Sequence, residues 1–108
     1  MLTSVAVRQI DDASFQSEVI DSKRNVLVCF TAEAREVNDP WLEEVFENFQ
    51  PPVTLARSSL KESPRHALQY GVVMTPAYLL FSAGEKRGVA VGSLGPEDLR
   101  HYVARALS

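Results

Sequence analysis

Apolar residues run without a break through Val26-Leu27-Val28-Cys29-Phe30, the length of one strand and the pattern of a strand covered on both faces. Upstream, Ser4 to Ile10 alternates, with Val5 and Val7 on one side, and predicts a short first strand. Asp11 and Asp12 offer N-caps for a helix to about Asp21 that buries Phe15 and Val19. Strand, helix and covered strand imply a right-handed βαβ crossover.

The second helix is predicted from Asp39 as cap and Pro40 in the first turn, where a missing N–H costs little. Leu42, Val45, Phe46 and Phe49 form its core-facing stripe, and Pro51-Pro52 ends it. Val53 to Ser58 reads as a strand with Val53, Leu55 and Arg57 on one face and Thr54, Ala56 and Ser58 on the other. Ser63-Pro64 opens a third helix, which Gly71 closes. Ala77–Ser82 and Gly88–Val91 are expected to form a hairpin around Ala83-Gly84-Glu85. A last helix begins at Pro96 and buries Leu99, Tyr102, Val103 and Ala106.

Several segments resemble the thioredoxin family. Val26 to Ala34 is similar to its core strand and the approach to its active site, and the likeness continues through Tyr70-Gly71-Val72, Thr75-Pro76-Ala77-Tyr78, Gly84-Glu85 and Val91-Gly92-Ser93-Leu94. The resemblance implies an α/β thioredoxin fold, given as βαβαββα, with a central mixed sheet flanked by helices on both faces. One domain is expected over residues 1–108, since neither repeat nor linker interrupts the 108 residues.

The family continues with Trp-Cys-Gly-Pro-Cys-Lys, whereas this chain has Ala34-Arg35-Glu36-Val37-Asn38-Asp39 and is three residues shorter between Phe30 and Pro40. Dithiol exchange needs an attacking thiolate and a second, resolving thiol. The only cysteine, Cys29, stands where the family usually carries a buried acid, and Arg57 matches a position that is commonly lysine. A cysteine among apolar neighbours is ordinarily inert. On this reading no enzymatic role is expected, because both CxxC cysteines are absent.

What the resemblance leaves is a protein-binding face. Thr75-Pro76 matches the cis-proline loop, whose backbone pairs with an extended substrate segment in thioredoxins; turn geometry alone is the other reading of Pro76. Arg35 and Val37 lie in the former redox loop, and Trp41 is either an exposed anchor or packed against a neighbour. The expected contact residues are Arg35, Val37, Trp41, Met74, Thr75, Pro76 and Ala77. Glu36 to Pro40, Pro76 to Phe81, Gly84 and Arg87-Gly88-Val89 further resemble the HyaE/HupG hydrogenase-assembly proteins. That likeness implies a chaperone for the [NiFe] hydrogenase small-subunit precursor with its twin-arginine leader. Alternatives are a degenerate oxidoreductase acting through Cys29 alone, and a structural subunit that dimerises through a sheet edge or the Trp41 face.

Composition narrows the classes. A net charge of −3 and 45% hydrophobic residues fit a soluble globular chain and argue against nucleic acid. The basic doublets Lys23-Arg24 and Lys86-Arg87 read as turn decoration. No membrane span or secretory signal is visible, and a cytoplasmic location is expected. His66 and His101 are expected to face outward, no metal or cofactor is expected, and Ser58-Ser59 and Ser93 lack a His-Asp arrangement.

Overall fold

The computed structural model describes residues 7–32 and 40–108, except the side chains of Pro40 and Trp41. The elements are β1 (Val7–Gln9), α1 (Asp12–Phe15, continued as a π-helical turn over Gln16–Ile20), β2 (Asn25–Thr31), α2 (Pro40–Phe46), β3 (Val53–Ser59), α3 (Pro64–Gln69), β4 (Ala77–Ser82), β5 (Glu85–Val91) and α4 (Pro96–Leu107). From β2 onward they reproduce the expected βαβαββα order. β1 and α1 add a strand and a helix before it, a unit that the expected string omitted.

The five strands lie in the order β1-β3-β2-β4-β5. β1 and β2 run parallel to β3, while β4 is antiparallel to β2 and β5 antiparallel to β4. Period-two alternation divides the central strands between two cores. Val26, Val28 and Phe30, with Leu79 and Phe81, pack against Phe15, Val19 and Ala67 under α1 and α3. Leu27, Cys29, Leu55 and Leu80 face Leu42, Phe46, Leu99 and Val103 of α2 and α4. The sheet is therefore the middle of three layers, as the unbroken apolar run of β2 required.

Local chemistry explains most boundaries. Asp11 caps α1 in a capping box: its carboxylate accepts from Ser14 N–H at 2.9 Å while Ser14 Oγ accepts from Asp11 N–H at 3.0 Å. α3 ends in a Schellman motif, with Gly71 N–H donating to Leu68 O at 3.2 Å and Val72 N–H to Ala67 O at 2.8 Å. The β4–β5 hairpin turns through Ala83 and Gly84, at φ +51° and +83°, and β5 starts at Glu85 rather than the expected Gly88. A Cβ on Gly84 would overlap the Ile20 carbonyl at the end of the π-helical turn, so this turn needs glycine for space as well as for φ.

Other limits shift. α2 closes at Phe46, short of the expected Phe49, although Phe49 is buried and its ring meets that of Phe46 edge-on at 5.1 Å. In α4, Leu99 and Val103 are buried, while Tyr102 and Ala106 are only partly so. Residues 4–6 of the expected first strand and the Asp39 cap lie outside the described residues. Among the described residues, no helix is long and apolar enough to cross a membrane.

Candidate functional site

The Met74–Ala77 segment enters the sheet between two strand ends. Phe30 pairs with Ala77 across β2–β4, which puts Pro76 beside Thr31, where the chain leaves β2. On the other side Gly92 N–H donates to Pro76 O at 2.8 Å, tying the end of β5 to the same loop. The Thr75–Pro76 peptide bond is cis, as is Gln50–Pro51.

The loop is anchored at both ends and open between them. Val72 is held by its hydrogen bond to Ala67, and Pro76 by that from Gly92. Among the described residues, Val73, Met74 and Thr75 make no backbone hydrogen bond. Val73 is 83% exposed and Met74 66%, and Val91 on the neighbouring strand end is 51% exposed. Three apolar side chains thus border a stretch of backbone with free donors and acceptors. Of the expected contact residues, Met74, Thr75 and Pro76 lie consecutively in this loop. Ala77 is 1% exposed and turns its side chain into the core, so it has only backbone to offer. Arg35 and Val37, and the side chain of Trp41, lie outside the described residues.

Cys29 is 2% exposed on the α2/α4 face of β2. Its register partner on β3 is Arg57, and on β4 it is Tyr78. Arg57 Nε is buried with no hydrogen-bond partner among the described residues. Ser58, Ser59 and Thr31, buried at the ends of β2 and β3, are engaged in holding the loop before α3. Ser58 Oγ donates to Ile10 O at 2.8 Å, and lies 2.6 Å from Ser63 Oγ. Ser59 Oγ accepts from Glu62 N–H at 3.0 Å.

One cluster escaped the sequence reading. Asp12, expected only as a local cap, accepts from the backbone N–H groups of Arg65 at 3.0 Å and His66 at 3.2 Å, the start of α3. His66 does not face outward. Its Nδ1 lies 2.7 Å from Asp12 Oδ1, and its ring stacks on Phe15 with centroids 4.1 Å apart. Burial pushes the Asp12 carboxyl upward, but the His66 ring, the two backbone donors and the His66 charge outweigh it and hold the group below its ordinary value. The one hint in the sequence was the doubled acid, which holds one more cap than α1 needs. Among the described residues, no three His, Cys, Asp or Glu side chains gather as a metal site.

The Thioredoxin family profile matches residues 6–105. The chain is 32% identical over 106 residues to the thioredoxin of Synechocystis sp., covering 94% of this chain and 98% of the relative. It is 31% identical over 103 residues to that of Acidithiobacillus ferridurans, covering 93% and 95%. To that of Pyropia yezoensis it is 29% identical over 108 residues, covering 96% and 100%. These relatives carry the name of an oxidoreductase and overturn the expectation of no enzymatic role. That expectation equated a missing cysteine pair with missing chemistry, whereas one thiol excludes only a disulfide within the chain. Fold, proline loop and relatives agree along nearly the whole sequence, and the chain belongs to the thioredoxin family.

Proposed function

We propose that this thioredoxin-family chain binds an extended segment of a protein partner at the Met74–Pro76 loop and acts as an assembly chaperone. The observation that carries this reading is the open backbone of Val73, Met74 and Thr75, bordered by exposed Val73 and Met74. An added strand would satisfy those backbone groups, and its alternate side chains would cover the apolar ones. The partner we favour is the [NiFe] hydrogenase small-subunit precursor with its twin-arginine leader. The support for it is the resemblance of Glu36–Pro40 and Pro76–Phe81 to hydrogenase-assembly proteins.

A second reading is thiol chemistry at Cys29. It draws on Arg57, the register partner of Cys29 on β3, whose Nε is buried and unpartnered among the described residues. A cation beside a cysteine is a common feature of reactive thiols.

Affinity capture from native lysate, followed by mass spectrometry, tests both. Enrichment of a hydrogenase precursor that is lost with Met74→Asp supports the chaperone reading. A partner set that survives Met74→Asp sinks it. Partners released by thiol reductant and lost with Cys29→Ser favour the second reading.

A further inference from the structure

Away from the proline loop, Arg87 of β5 and His101 and Arg105 of α4 converge with Asp98, Tyr102 and Ala106 on an open cleft of about 570 Å³. That volume falls within the range of small-molecule sites. His101 and Arg105 are four residues apart on α4 and share a face. Tyr102, which also lines the cleft, packs its hydroxyl over Gly88 of β5, where a Cβ would overlap it. Burial pushes the Tyr102 phenol up, with partial relief from the Val89 backbone, so its hydroxyl keeps its proton and remains a donor at neutral pH.

Neither Arg87 nor Arg105 has an ion pair among the described residues, although Asp98 lines the same cleft. In a chain of net charge −3 this is a local surplus of cationic donors. The dipole of α4 accounts for Arg105 in its last turn. It does not account for Arg87, which arrives from the strand. The Lys86-Arg87 doublet, read from the sequence as turn decoration, thus divides: Lys86 sits 5.9 Å above the Tyr70 ring, and Arg87 enters the cleft.

We propose that the cleft between β5 and α4 binds the phosphate or pyrophosphate group of a small ligand, held by Arg87 and Arg105 with His101 and the Tyr102 hydroxyl as further polar contacts. Guanidinium groups suit this ligand because their planar donors match phosphate oxygens in pairs.

The test is an amide and side-chain NMR titration of the whole chain with inorganic pyrophosphate at low salt. Saturable shifts are expected at Arg87, His101, Tyr102 and Arg105, with affinity falling about tenfold or more in Arg87→Ala/Arg105→Ala. Both arginines are exposed, and a thermal melt checks that the variant is folded. Citrate, matched for charge, is expected to bind more weakly. The proposal is overturned by the absence of saturable shifts up to ~20 mM, or by affinity unchanged in the double variant. Shifts of equal size at Arg24, Arg65 and Arg100, or an equal response to citrate, would mean unspecific counter-ion attraction and would overturn it too.

Discussion

Asp12 Oδ1 lies 2.7 Å from Nδ1 of His66, 54 residues further along the chain. The same carboxylate accepts from two backbone N–H groups at the start of α3. One side chain thus fastens the first helix to the third, and does for α3 what its own Ser63 does not, since Ser63 makes no side-chain capping bond. α3 leads through Gly71 and Val72 to the open loop before Pro76, so this fastening bears on the placement of the candidate site.

Asp12→Ala is therefore expected to lower stability by about 1–2 kcal/mol, the upper part of the range for a lost cap. Urea unfolding should show a lower midpoint with an unchanged slope. An unchanged midpoint would mean that water replaces the carboxylate at no cost.

The same contact has a pH signature. The folded Asp12 carboxyl is held below its ordinary value, so in acid the unfolded chain binds the proton first. Its stabilising contribution is complete above the unfolded value, about 4, and is lost as pH falls through the lower folded value. The stability difference between wild type and Asp12→Asn should therefore be constant near neutrality and shrink below about pH 4. Melting temperatures of the two proteins across that range check it, and a difference that grows in acid would refute the assignment.

Gly88 lies under the Tyr102 hydroxyl, and a methyl group there would displace the ring. Gly88→Ala is expected to destabilise by about 1–3 kcal/mol, the usual cost of overpacking. Part of that loss should be recovered in Gly88→Ala/Tyr102→Phe, which removes the clashing oxygen. A double-mutant cycle reads this directly, and strictly additive effects would show that the two residues do not meet.

Ala83 sits at φ +51° in the β4–β5 turn, ahead of Gly84 at φ +83°. A turn with both central residues left-handed prefers Asn-Gly. Ala83→Asn is expected to stabilise by about 0.5–1 kcal/mol, some of the penalty that alanine bears in this conformation. Thermal denaturation monitored by circular dichroism would show a higher midpoint.

The proline loop was readable through its resemblance to the family's loop, carried by Thr75-Pro76 and the spacing to Gly84 and Gly92, and its exposed neighbour Met74 was picked out with it; that the bond is cis came from the structure. The buried direction of Ala77 was not readable, because it depends on which face of β4 meets α3. Arg35, Val37 and Trp41 were chosen from their place before and within α2, and the described structure adds nothing to that choice.

By itself, the sequence determined the elements, the two apolar faces of β2 and the caps at Asp11 and Gly71. Each of these follows from periods of two or 3.6 residues, or from a turn only a few residues long. Only the tertiary structure decided that Asp12 reaches α3 and that Arg87 meets Arg105 across a cleft. Those meetings join segments far apart in the chain. They depend on strand order, crossover and register, which no local pattern of hydrophobic and polar residues records.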